Sequence, residues 1–406
     1  MAEKIVIVGG GQAGLQLTDS LRRGGFSGEL MLVSEEESLP YHRPPLSKGF
    51  LTGDIPQAKL LFRPQEYYAK REIHVLLDHR VSSIDLAGQF LQLSSGDTLE
   101  YDALALATGA RVRELPLNGA DASNVHYLRS LSDTLRIQTQ LAEAKRVVVI
   151  GGGFIGLEVA ASATKMGKEV TCLEGADRLL GRVVSPFISD FYLSAHQSRG
   201  MKIVLNAKVD EFSQTNGQVD SVVCADGSQY AADLVVIGIG VIPNQELAES
   251  AGIVCDNGIV VDEFARTSAT NVVATGDCTN HLNPYAQNRI RLESVQNAID
   301  QSKTAASTLL GTLEPYNAVP WFWSDQFDLK LQIAGLSTGA NHEVLRGRVD
   351  QDKFSLFYFR DEKLLAVDSV NSPADHMIGR KLLSGNCQLS PQQAADVDFD
   401  LKTLLK

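Results

Sequence analysis

The feature that most constrains this chain is a repeat. Lys4 to Gly14 reads KIVIVGGGQAG and Arg146 to Gly156 reads RVVVIGGGFIG, offset by 142 residues. Each copy is a charged residue, four β-branched apolar residues and a glycine triplet. Each runs on into a segment that can form a helix (Gly14 to Arg23; Gly156 to Met166) and then a second apolar strand (Glu29 to Val33; Glu169 to Leu173). In Gly9-x-Gly11-x-x-Gly14 and Gly151-x-Gly153-x-x-Gly156 the first glycine permits a sharp turn, and the second lets a pyrophosphate approach the backbone. The third lets helix pack on strand, while phosphates meet the positive helix N-terminus. A ribose then needs an acid about 20 residues on. Glu35 lies 21 past Gly14 and Glu174 lies 18 past Gly156. One glycine motif alone is a weak signal; two, each in strand and helix context with an acid downstream, predict a chain that holds two dinucleotides.

The remainder reads as further sheet. Lys202 to Val209, Gln218 to Ala225 and Leu234 to Ile239 have strand character, and Leu104 to Gly109 and Val272 to Asp277 are buried strands ending in glycine turns. From about Val319 the character changes: Trp321 and Trp323 are followed by the alternating segments Leu329 to Ile333 and Phe354 to Phe359, and then by a helical tail. The expected fold is α/β, with two Rossmann-like dinucleotide-binding domains of the glutathione-reductase-like kind plus a C-terminal α+β domain. The expected boundaries are 1–112 and 240–318 for the first dinucleotide domain, 113–239 for the second, inserted into it, and 319–406 for the third.

Composition removes competing classes. With 37 basic against 49 acidic side chains the net charge is −12, which argues against nucleic acid or an anionic membrane as main partner. The longest stretch free of strongly polar residues, Val147 to Leu157, is far short of the ~18 residues of a membrane span. Met1-Ala2-Glu3-Lys4 leads straight into Ile5-Val6-Ile7-Val8 without the pattern of a secretory signal, so a cytoplasmic protein is expected. Cys172, Cys224, Cys255, Cys278 and Cys387 are scattered, with no metal-ligand or disulfide spacing, and the eight histidines show no metal spacing either. No metal site is expected.

Several further strings carry a resemblance: Pro40-Tyr41-His42-Arg43-Pro44-Pro45-Leu46-Ser47-Lys48, Ala107-Thr108-Gly109, Thr275-Gly276-Asp277, and Val319-Pro320-Trp321-Phe322-Trp323-Ser324-Asp325-Gln326. With the two glycine motifs, these make the whole chain resemble the FAD-dependent, NADH-using ferredoxin reductases of bacterial oxygenase systems, of the putidaredoxin reductase and Rieske dioxygenase reductase type. The resemblance implies that the first glycine motif holds FAD and the second NADH. It implies a flavin site using Ala13, Glu35, Arg43, Lys48, Val81, the Ala107-Thr108-Gly109 turn, Arg129, Asp277, Val295 and Trp321. It also implies that Lys48 and Glu158 meet beside the hydride-accepting nitrogen of the flavin, where a lysine cation would stabilise electron density and Glu158 would keep it charged and placed.

Residue chemistry adds to these implications. Asp277 can accept from a ribityl hydroxyl, and Arg43 and Arg129 can neutralise pyrophosphate or pack on adenine. A helix over Ser294 to Leu310 would aim its N-terminus, near Val295, at the flavin pyrimidine. Glu174 as an acceptor for two ribose hydroxyls would repel a 2′-phosphate and favour NADH, with Arg178 and Arg182 as the neighbours able to oppose it or to take pyrophosphate and ion-pair roles instead. Aligning the halves by their second strands sets Ser34, not Glu35, opposite Glu174. Glu35 is the expected ribose ligand; the competing reading is a solvated carboxylate in the Glu35-Glu36-Glu37 run.

The cysteines separate subclasses. Disulfide reductases of this architecture carry a cysteine pair beside the flavin, yet no cysteine stands between Met1 and Thr171. Cys278, beside Asp277, reads as a small buried hydrophobe. Electrons must then leave through the flavin edge to a docked carrier, a [2Fe–2S] ferredoxin of Rieske or plant type, with Arg289 and Arg291 as candidate docking cations. The alternatives are a rubredoxin as acceptor, or a redox-responsive flavoprotein like the apoptosis-inducing ones. A monomer or weak dimer is expected.

Overall fold

The computed structural model describes residues 2–385 and 388–405, so Cys387 lies outside the described residues. The first parallel sheet has five strands: Val272–Ala274, Ala103–Leu106, Lys4–Val8, Glu29–Val33 and Ile73–Leu76, in that spatial order. The second repeats the plan with Lys202–Val204, Glu169–Leu173, Arg146–Ile150, Leu234–Ile237 and Val125–Tyr127. In both, the glycine-motif strand is central and its C-terminal end opens into the glycine loop, which is where ligands bind in doubly wound sheets. Strands covered on both faces need apolar side chains in both directions; Ile5, Val6 and Ile7, and equally Val147, Val148 and Val149, are at most 1% exposed.

The chain leaves the first sheet through Ala110–Val112 and returns through Val241–Pro243, two short antiparallel strands paired with each other. The second sheet is therefore inserted into the first half of the molecule. The third unit is an antiparallel sheet of Trp321–Gln326, Leu329–Gly335, Lys363–Val370, Lys353–Arg360 and His342–Arg348, covered by the helix Pro373–Ser384.

Two strand expectations differ from the fold. Lys202 to Val209 is not one strand: pairing stops at Val204, Asn206 takes a left-handed φ of 56°, and Val209–Thr215 begins a separate antiparallel sheet. Phe354 to Phe359 is buried on both faces instead of alternating. Phe354, Leu356 and Tyr358 join the core beneath Ile188 and Tyr192 of the second half, while Phe357 and Phe359 meet Ile378 and Leu382 of the unit's own helix. Among the described residues no helix is long and apolar enough to cross a membrane.

Candidate functional site

The two glycine loops have the same construction. Gly9 (φ 119°) and Gly151 (φ 110°) turn where side-chain-bearing residues are strained, and a Cβ on either would overlap the carbonyl oxygen of Ala107 or Gly238 on the neighbouring strand. A Cβ on Gly14 or Gly156 would strike the carbonyl of Gly9 or Gly151, so these third glycines let helix and loop close together. Gly11 and Gly153 differ from the rest: nothing lies within 4 Å of where a Cβ would stand. These two residues cap the helices Gln12–Arg23 and Phe154–Lys165, and neither helix has a side-chain cap, so the first N–H groups stay available to an anion.

Beside each loop the second strand delivers a polar side chain. Glu174 accepts from the Gly152 N–H at 2.5 Å and the Ala176 N–H at 2.7 Å. In the first half Ser34 occupies the matching place, its hydroxyl facing Gly10 and accepting from the Glu36 N–H at 3.2 Å. Glu35 is exposed and Glu36 turns inward, where it pairs with Arg43 and accepts from the Tyr41 hydroxyl at 2.5 Å. Sequence reasoning passed over Glu36, because spacing alone cannot say which of three consecutive acids points in.

Around the first loop, segments far apart in sequence converge. A Cβ on Gly276 would stand 3.0 Å from that of Ala13, and one on Gly109 3.5 Å from Arg129 Nη2. Arg129 pairs with Asp277 at 3.1 Å, and Arg43 donates to the Arg129 carbonyl at 2.8 Å. The Thr108 hydroxyl donates to the Asn244 carbonyl at 2.7 Å. The helix Val295–Leu309 is capped by Ser294, and its Ser302 donates to the Ala13 carbonyl at 3.0 Å. Val81 is buried. Half-buried Trp321 lies against Trp323 at 5.5 Å between ring centroids, under the Arg380 guanidinium, and its N–H is held by Gln296 at 3.2 Å.

Between the halves, Lys48 Nζ stands 2.6 Å from Glu158 Oε2. Glu158, on the helix after the second loop, is 2% exposed; it also accepts from the Ser47 hydroxyl at 2.5 Å and the Ser324 hydroxyl at 2.6 Å. A buried carboxylate costs several kcal/mol unless paired and hydrogen-bonded, and this one is both.

A family model described as pyridine nucleotide-disulphide oxidoreductase matches residues 3–302, and a second, reductase C-terminal, matches 321–405. The chain belongs to the pyridine nucleotide-disulphide oxidoreductase family. Within this family it is 46% identical to rhodocoxin reductase of Rhodococcus erythropolis, over 98% of this chain and 93% of the relative. A ferredoxin reductase structure from Rhodopseudomonas palustris superposes with a TM-score of 0.97 at 42% identity over 100% of both chains. The reductase in a covalent putidaredoxin reductase–putidaredoxin complex superposes at 0.96 with 40% identity, over 99% of this chain and 98% of that one. As a member of this family the chain is an FAD-dependent oxidoreductase that uses a nicotinamide coenzyme.

The residues present fit those groups, since each open loop glycine fronts an uncapped helix and each loop is flanked by polar side chains. The disulphide of the family name has no counterpart at the Lys48–Glu158 pair. Cys172, Cys224 and Cys278 are buried free thiols, and burial pushes the Cys172 thiol up to about 12 and raises that of Cys278. Cys278 donates weakly to the Thr275 carbonyl, as a small core residue does.

Other expected site residues sit elsewhere than the second loop or the surface. The Arg178 guanidinium is spent on the carbonyls of Gly181 and Val184 and on Ser189 Oγ. Arg182 remains exposed, close to Gly240. Arg291 is drawn inward to pair with Glu293, its side chain 13% exposed, and Arg289 donates to the carbonyls of Val261 and Asn280. Both are committed to the chain's own groups, which weakens them as docking cations.

Proposed function

We propose that this protein is an NADH-dependent ferredoxin reductase: hydride passes from NADH to FAD, and electrons leave one at a time to a [2Fe–2S] ferredoxin that feeds an oxygenase. The observation that carries this reading is the Lys48–Glu158 pair joining the two glycine-loop halves with no thiol beside it. Bound FAD supplies the ability to take two electrons together and release them singly.

The chain's residues supply placement. In this reading residues 1–112 and 240–318 hold FAD, 113–239 hold NADH, and 319–406 form the third domain. Gly9, Gly11, Ala13 and Gly14 admit the FAD pyrophosphate to the first helix, and Glu35, Arg43, Val81, Arg129 and Asp277 grip the rest. Ala107, Thr108, Gly109, Val295 and Trp321 line the ring. Gly151, Gly153 and Gly156 do the same for NADH, and Glu174 binds its ribose, where a carboxylate favours NADH over NADPH. Lys48 holds positive charge where electron density arrives, and no general base is required because hydride transfer needs only alignment. The carrier is of Rieske or plant type, the protein acts in the cytoplasm where NADH is regenerated, and it works as a monomer or weak dimer.

The test is direct. FAD-loaded protein with NADH should reduce a [2Fe–2S] ferredoxin much faster than dioxygen. Preference for a rubredoxin would move it to the rubredoxin reductases, and failure with both carriers would remove the electron-transfer reading.

A further inference from the structure

The string Trp321-Phe322-Trp323-Ser324-Asp325-Gln326 holds a feature that carrier reduction does not explain. It forms one edge strand of the third unit, and alternate side chains of a strand face opposite ways. Trp321 and Trp323 lie together. Phe322, Ser324 and Gln326 face the second half instead: Phe322 meets Phe154 at 4.6 Å, Ser324 reaches Glu158 and Gln326 reaches His196.

These contacts have one direction. An ionised carboxylate only accepts, so the Ser324 hydroxyl must donate to Glu158 Oε1 at 2.6 Å. With its hydrogen committed, Ser324 Oγ accepts from Gln326 Nε2 at 3.0 Å. The Gln326 amide is thereby fixed, with Oε1 facing His196 Nε2 at 2.7 Å, and that nitrogen must carry the hydrogen. His196 Nδ1 is then bare and faces Met201 Sδ at 3.2 Å. Ser324, Gln326 and His196 are all 0% exposed, so no water competes for these bonds. Burial also lowers the imidazole to about 4, consistent with a neutral ring.

We propose that His196, Gln326 and Ser324 form a directional hydrogen-bond chain whose donors all point toward Glu158, making them positioning residues that hold this carboxylate against Lys48. The third domain then contributes to flavin reduction, in addition to whatever it does for the carrier. The proposal rests on the reading that Lys48 and Glu158 flank the flavin. Loss of Ser324 removes one of two hydroxyl donors from Glu158, loosens the partner of Lys48 and weakens the positive potential felt by the ring.

The experiment compares FAD-loaded wild-type protein with Ser324→Ala and Gln326→Met, in the absence of any carrier. Ser324→Ala should lower the limiting rate of flavin reduction by NADH about tenfold, the worth of one hydrogen bond to a charged group. The KM for NADH should stay near wild type, and the flavin midpoint potential should become more negative. Gln326→Met should shift both in the same direction by less. Unchanged rate and potential, or a lower melting temperature alone, would overturn the proposal. A second readout needs no variant and no turnover. Nitrogen-15 NMR of histidine-labelled protein should show His196 as the neutral Nε2–H tautomer, and an Nδ1–H tautomer would break the chain's direction and the proposal with it. If wild-type flavin is not reduced by NADH, the proposed function fails, while the tautomer still reports on the chain.

Discussion

Lys48 and Glu158 lie 110 residues apart in sequence and meet at 2.6 Å, the lysine 20% and the glutamate 2% exposed. The pair is asymmetric, because Lys48 can turn toward solvent and Glu158 cannot. Lys48→Met should therefore cost ~3 kcal/mol by leaving a buried carboxylate short of its cation, and Glu158→Gln only ~1 kcal/mol, as read by urea unfolding. Both should slow flavin reduction. Equal stability losses would mean that the carboxylate is less dependent on its cation than its burial suggests.

Glu174 holds the second loop through two backbone N–H groups and stands where a ribose would lie. Glu174→Ala should raise the KM for NADH about tenfold and relax discrimination against NADPH. An unchanged NADH to NADPH ratio of kcat/KM would remove this residue from the coenzyme site.

The glycines separate fold from ligand. Gly11→Ala places its Cβ in open space, so the apo chain should melt as wild type does while FAD affinity falls. Gly9→Ala forces a side chain onto a backbone at φ 119° and against the Ala107 carbonyl, so the apo melting temperature should itself drop by several degrees, at ~1 to 3 kcal/mol of strain. Gly153→Ala should weaken NADH binding with FAD retained. A Gly11→Ala protein that keeps its FAD through dialysis would refute the assignment of the first loop.

Asp277 is tied to Arg129 at 3.1 Å and is 18% exposed. Asp277→Ala should release Arg129 and raise the FAD dissociation constant at least about tenfold, the worth of one charge-assisted hydrogen bond. Fluorescence of FAD released on dilution measures this, and wild-type retention would count against the role.

Asp368 supplies a pH dependence away from the cofactors. Burial pushes its carboxyl up to about 7, and the Tyr358 hydroxyl at 2.6 Å only partly opposes that. Because the folded-state value lies above the unfolded one, Asp368's contribution is full below about pH 4 and is lost as pH rises through about 7. The loss is on the order of 4 kcal/mol. Asp368→Asn should flatten the fall in melting temperature between pH 5 and 8, values spanning this window. A wild-type slope in the variant would assign the titration elsewhere.

Much of the architecture was legible because it is local. A β-branched run followed by Gly-x-Gly-x-x-Gly writes strand, turn and helix within a dozen positions, since the turn needs a φ that glycine alone adopts freely and the third glycine must admit a carbonyl. Alignment of the two halves even set Ser34 opposite Glu174, where the structure has it. Where a local conformational choice was unmarked the reading slipped: a left-handed Asn206 divides a run that looked like one strand, and packing on both faces hides the alternation of Phe354 to Phe359.

The sequence by itself determined two dinucleotide folds, a third β-rich unit and the absence of a cysteine pair in the first 171 residues. Only the tertiary structure decided which charges meet. It turned Glu36 rather than Glu35 inward, drew Arg291 onto Glu293, and brought Lys48, Glu158 and Ser324 together from three separate parts of the chain. The reason is physical: a backbone turn is fixed by its own residues, whereas a buried ion pair exists only where packing of distant segments excludes water and leaves each charge no other partner.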